Sequence, residues 1–112
     1  MKVFENGVYP GQRHAYVEGS ANATTTLTIP ADASHFWTLE QVTFSADTDP
    51  DSGVTLTITI GSTVVFKHFI TKSGPGPIPL SGLARGVKNE AVTITASAAG
   101  TGKKVNLSAV YR

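Results

Sequence analysis

The segment Asp47-Thr48-Asp49-Pro50-Asp51-Ser52-Gly53 is the one cluster of hard oxygen ligands in the chain. Carboxylates on alternate residues of a turn can converge on a calcium ion, which takes several oxygens. The likeness to an EF-hand loop stops quickly: Pro50 stiffens the middle, the glycine comes one position late, and Ile58 stands where the bidentate glutamate belongs. No helical pattern flanks it. The segment therefore reads as an Asp-rich turn whose side chains cap its own backbone, with Asp47, Asp49 and Asp51 as the only calcium candidates and no cofactor expected.

Other chemistry is thinner still. His14, His35 and His68 are far apart, with no second ligand at a spacing that places two donors on one strand face. Ser34-His35 near Asp32 invites a triad reading, but neighbours in sequence rarely form a relay, and no nucleophile-elbow glycines surround any serine. Glu5, Glu18, Glu40 and Glu90 are the glutamates from which a glycosidase acid and base can be drawn, and sequence does not give their separation. Trp37, Tyr9, Tyr16 and Tyr111 are the residues able to stack on sugar rings. Alternation places the Trp37 indole on the same side as Leu39, which favours a core role. The expectation is a chain without enzymatic activity.

Composition narrows the classes. With 112 residues and no cysteine, the chain suits one domain, residues 1–112, without disulfides, thiolate metal sites or a cysteine nucleophile. No apolar run approaches the ~20 residues of a membrane helix, and no secretory signal follows Met1, so synthesis in the cytoplasm is expected and the sequons at Asn22 and Asn106 should stay unused. Nine basic residues against eight acidic ones leave a net charge of +1, without the dense basic stripe that nucleic acid requires. Arg85, Lys88, Lys103 and Lys104 read as solvated surface. Charged residues make up only 15%, so Thr, Ser, Asn and Gly must cover much of the exterior.

The elements that position these residues read as strands throughout. Val54, Leu56, Ile58 and Ile60 alternate with threonines, and Gly61-Ser62 predicts a type II′ turn into the stretch from Thr63 to Ile70. Val92, Ile94 and Ala96, then Val105, Leu107, Ala109 and Tyr111, form a similar closing pair, with the C-terminus tied into a sheet. Weaker strands cover Arg13 to Glu18 and Thr24 to Ile29. Between His35 and Ala46 the parity slips: Trp37 and Leu39 share one side, Val42 and Phe44 the other. An extra residue near Glu40-Gln41, a β-bulge, returns all four to one face. No segment has helical period. The pattern predicts an all-β fold, a single antiparallel β-sandwich of jelly-roll or Ig-like type.

Two stretches lack alternation. Residues 1–12 read as an extended N-terminal arm bearing Val3, Phe4, Val8 and Tyr9. Lys72 to Asn89 reads as one long Gly/Pro-rich loop, with at most a short strand near Ile78-Pro79-Leu80, because Pro75, Pro77 and Pro79 cannot donate to a central ladder. Long ordered loops are often functional, so Val3, Phe4, Val8, Tyr9, Pro75, Pro77, Ile78 and Leu80 become the candidate protein interface. The uncharged strand from Val54 to Ile60 must be central or covered by a partner, and low surface charge suits a protein that sits in an assembly.

From Val54 to Arg112, the order VTLTITIGSTVVF, GPGPIPL and NEAVTITASAAGTGKKVNLSAVY resembles small β-sandwich structural proteins of tailed bacteriophage virions. The resemblance implies a virion component, made in the host cytoplasm, that docks on the assembled head as a capsid decoration or cement protein. Its implied partners are the major capsid protein or other virion subunits and further copies of itself, with neither nucleic acid nor membrane. An alternative is a carbohydrate- or receptor-binding module of a tail fibre or host-attachment apparatus.

Overall fold

Alternation in the sequence returns as alternation in burial: in Val54–Ile60 and Val105–Tyr111 every apolar residue at odd spacing is buried and its neighbours face outward. A computed structural model describes residues 2–5, 13–34, 37–85 and 89–112, with backbone alone described at 2–5 and 81–85. Among the described residues there are nine strands and no helix. They are β1 (Lys2–Glu5), β2 (Arg13–Glu18), β3 (Thr25–Ile29), β4 (Thr38–Ala46), β5 (Val54–Ile60), β6 (Thr63–Ile70), β7 (Gly76–Arg85), β8 (Val92–Ala96) and β9 (Val105–Tyr111).

All pairings are antiparallel, in a five-stranded sheet of order β1-β2-β9-β4-β7 and a four-stranded sheet of order β3-β8-β5-β6. Without β1, the order β2-β9-β4-β7 facing β3-β8-β5-β6 is the double Greek key of a jelly roll. The all-β sandwich expected from the pattern is what forms, and the jelly-roll alternative is the one realised. Apolar rungs run straight across each sheet: Val17, Leu107 and Phe44 in one, Leu27, Ile94, Ile58 and Phe66 in the other. Between them lies one core, in which Phe44, Leu56, Ile58, Ile94 and Leu107 are fully buried. Each such side chain contributes roughly 1.5–3 kcal/mol.

The bulge is present where parity placed it. Against β9 the register shifts between Leu39 and Gln41 with Glu40 as the extra residue, and against β7 it shifts at the same place with the surplus, residues 80–83, on β7. Leu39, Val42 and Phe44 are buried together and Trp37 packs against the same core. The hairpin is also as expected: Ile60 pairs with Thr63 around Gly61, whose φ of 60° is the left-handed value the first turn position requires.

The outer face of the four-stranded sheet explains how so little charge suffices. Thr28, Thr93 and Thr59 lie in one rung and Thr26, Thr95 and Thr57 in the next, all pointing away from the core. At the join between sheets, Gly19 donates its N–H to the Val105 carbonyl at 2.8 Å. A Cβ there would sit 2.4 Å from that same oxygen. Gly19→Ala is therefore expected to destabilise by about 1–3 kcal/mol, read as a lower Tm with unchanged strand content.

Three expectations change. The segment from Lys72 to Asn89 is largely β7, paired with β4 from Phe44–Gly76 to Thr38–Arg85. Pro77 and Pro79 are tolerated because β7 ends its sheet, so only one side of the strand needs donors. Leu80 is fully buried in the core and so cannot belong to an interface. The uncharged β5, by contrast, takes the first of its two expected places, central between β8 and β6. Residues 2–5 of the supposed arm form β1 on β2, whereas Val8 and Tyr9 lie outside the described residues.

Candidate functional site

The sandwich is sealed along β2 and β3 but stays open on the opposite side, where β6 ends one sheet and β7 the other. In that opening is a cleft of about 300 Å³, with Phe44 at its floor and His68, Ile70, Lys72, Pro75, Pro77 and Ile78 among its walls. Of the predicted interface residues, Pro75 and Pro77 are exposed and Ile78 is half-buried here. Val3 and Phe4 lie on β1, at the far edge of the same sheet, so the structure does not bring the two predicted groups together.

The residues that sequence reasoning missed are on β6. Phe69 is 60% exposed, Val64 51% and Val65 39%, and they are the large apolar residues exposed among those described. β6 pairs only with β5, with a bulge that leaves Val65 without a partner across the ladder. The Phe69 ring is held from one side: a Cβ on Gly53, whose φ is 91°, would lie 2.3 Å from its tip. Phe66 and His68 stack at 6.3 Å on the same strand. A signal for this was present, because Val64, Val65, Phe66, Phe69 and Ile70 occupy both parities and one buried face cannot take them all.

The Asp-rich turn is a latch between loops. Asp49 accepts the Ser73 N–H at 2.7 Å and faces the Lys72 ammonium at 3.8 Å. Asp47 accepts the Lys104 N–H at 3.0 Å, and Lys103 Nζ donates to Asp51 at 2.6 Å and to the Asp49 carbonyl at 2.5 Å. The carboxylates thus bind separate partners, two of them backbone N–H groups of other loops and not of their own turn, and the Lys103 ammonium joins the Asp51 carboxylate to the Asp49 carbonyl. Among the described residues no three His, Asp or Glu side chains gather as metal ligands.

Hydrogen bonding from Ser73 holds the Asp49 carboxyl below its ordinary pKa, with Lys72 and Lys103 adding to the effect against a smaller opposing desolvation. A carboxylate lowered in the folded state adds stability above its unfolded pKa and loses it as pH falls through the folded one. The Tm should therefore drop below the ordinary Asp value of 3.8, and Asp49→Asn should make that drop shallower. An unchanged acid profile in the variant would refute the latch.

A second cleft of about 290 Å³ lies at another place on the sandwich, lined by Arg13, Pro30, Asp32, Trp37 and Tyr111. Trp37 and Tyr111 meet edge to face at 5.3 Å, and the Trp37 Nε1–H donates to the Pro30 carbonyl at 3.2 Å. The Arg13 guanidinium lies 4.9 Å over the indole, so one aromatic face is already covered. Burial raises the Tyr111 pKa, with Arg13 opposing the rise.

Of the remaining acidic candidates, Glu18, Glu40 and Asp32 are separately engaged. Glu18 accepts the Tyr16 hydroxyl at 2.6 Å, which raises the tyrosine pKa. Glu40 pairs with Arg112, and Asp32 accepts both the N–H and the hydroxyl of Ser34 at 2.9 Å. His14 and His68 stand on strands of different sheets, and His35 lies outside the described residues.

No protein-family model matches the chain. No curated protein matches it either. Among solved structures, it is similar to one described as the crystal structure of a ruminal GH26 endo-beta-1,4-mannanase, with 13% identity and a TM-score of 0.45. That alignment covers 80% of this chain and 18% of the other, so the chain spans under a fifth of that protein's length.

Proposed function

We propose that the chain is a non-enzymatic docking protein, a capsid decoration or cement protein of a tailed-phage type, that stabilises an assembled shell by seating its open β6–β7 side on neighbouring subunits. The observation that carries this reading is the exposed apolar group Val64, Val65 and Phe69 on an edge strand, paired on one side only, beside an apolar cleft. Large apolar side chains exposed together on one strand point to an interaction site. Many copies, each of modest affinity, then add up to large mechanical stability. Pro75, Pro77 and Ile78 fall within this surface. Val3, Phe4, Val8 and Tyr9 would extend contact from the N-terminal side, and further copies and the major capsid protein are the partners.

Co-sedimentation with virions that carry the chain tests it. Phe69→Lys is expected to weaken particle binding at least tenfold while the melt stays within a few degrees, because Phe69 is mostly solvent-exposed. Full retention of binding by that variant would place the contact elsewhere on the chain. A carbohydrate-binding role in a tail or attachment apparatus is the second reading, favoured by the aromatic cleft at Trp37 and Tyr111. A glycan array with the wild type and Trp37→Ala separates the two: saturable binding lost in the variant supports the second reading.

A further inference from the structure

The four sheet edges are unequal. β1 has four residues and β3 five, and β7 carries Pro77 and Pro79 along its length. β6 runs for eight residues without proline, with exposed Val64, Val65 and Phe69 and the single charge of Lys67. Natural edge strands are normally blunted against pairing by shortness, proline or inward charge. β6 has a bulge at Val65 near its start, but from Phe66 to Ile70 its register with β5 is regular, leaving an uninterrupted outer edge.

We propose that β6 accepts an added β-strand: an extended segment of a partner subunit, apolar at alternate positions and bearing carboxylates. The proposal rests on the docking reading above and names its mode and partner chemistry. A strand laid along β6 satisfies that strand's outer backbone groups. Its residues on the inner side lie over the cleft between β6 and β7, where Ile70, Pro77 and Ile78 receive an apolar side chain. Residues on the outer side lie beside Val64 and Phe69.

Charge selects the partner. The ionisable residues lining the cleft are His68 and Lys72, with no carboxylate among them, and Lys67 stands on the outer face of the same strand. Lys72 is 84% exposed, with Asp49 3.8 Å away as its ion-pair partner. A carboxylate at the end of the incoming strand beside Lys72 is therefore attracted and a lysine there repelled. The same charges disfavour a second copy as occupant. Two-fold antiparallel pairing of β6 with itself brings Lys67 of each copy together near its centre, and like charges directly opposite destabilise a pair.

The test uses the full chain and two synthetic peptides of one apolar pattern, acetyl-DVTVTVD-amide and acetyl-KVTVTVK-amide, with backbone amide shifts followed by NMR. The acidic peptide is expected to perturb amides from Thr63 to Ile70 and the cleft wall, to bind at least tenfold more tightly than the lysine peptide, and to weaken with added salt. Phe69→Lys should abolish the perturbation with its melt preserved. Binding of neither peptide, equal binding of both, or perturbations confined to another edge overturns the proposal, as does self-association of the chain through β6 in sedimentation. The two readings fail separately. Particle binding that survives Phe69→Lys removes strand addition at β6 and leaves virion docking standing, whereas peptide binding at β6 by a chain absent from particles does the reverse.

Discussion

Phe44→Ala is expected to cost about 3–5 kcal/mol, against the roughly 5–15 kcal/mol that holds a domain of this kind folded. Phe44 is the largest of the fully buried side chains. It lies on β4 opposite Leu107 of β9 and Gly76 of β7. Gly76 brings no side chain to fill the space that alanine leaves, so the void opens toward the cleft, and the wall at Pro77 and Ile78 loses its support. A urea or thermal melt should show the loss with little change in cooperativity, and a drop below 1 kcal/mol would mean that β7 collapses inward.

Removing Ala109 to Arg112 is expected to abolish cooperative folding. β9 is not an edge: Ala109 pairs with Ala15 on one side and Val42 on the other, and Tyr111 likewise joins Arg13 to Leu39. Arg112 exchanges two backbone hydrogen bonds with Thr38, at 2.7 and 3.0 Å. Without these residues β2 and β4 face each other across a gap with unpaired backbone, and buried unpaired groups are expensive. Loss of near-ultraviolet signal and of a two-state melt would confirm this. A truncated chain that melts like the full one would show that β2 and β4 can re-pair without the end of β9.

Much of the fold was legible because burial in a sandwich is periodic. Period-two alternation located β5, β8 and β9, and a parity slip between Leu39 and Val42 placed a bulge near Glu40-Gln41, where it falls at Glu40. The stretch that became β7 was illegible for a reason tied to topology. Pro77 and Pro79 exclude a central strand but not an edge, and edge position is set by strands far away in the chain. The same cause hid Leu80, which reads as part of a Gly/Pro-rich loop or at most of a short strand until β7 is laid against β4 and its side chain enters the core.

The candidate site was half legible. Pro75, Pro77 and Ile78 were found through the irregularity of their segment, although what they line is a cleft beside a strand and not a long loop. Val64, Val65 and Phe69 were passed over because a hairpin strand rich in apolar residues looks like core. Only the sheet order shows that nothing in the described fold covers its outer side. The Asp-rich turn was recognised as a turn, but its partners, Ser73 and Lys104, come from other loops at separations in sequence that no local pattern reveals.

Electron microscopy of virions that carry the chain tests the central claim most directly. The account predicts density for the jelly roll at regular positions between capsid subunits, oriented with β6 and β7 toward the shell and with an extended segment of the neighbouring subunit continuing the sheet at β6. Density confined to the tail, with the Trp37 and Tyr111 end presented outward, would contradict it and favour glycan recognition.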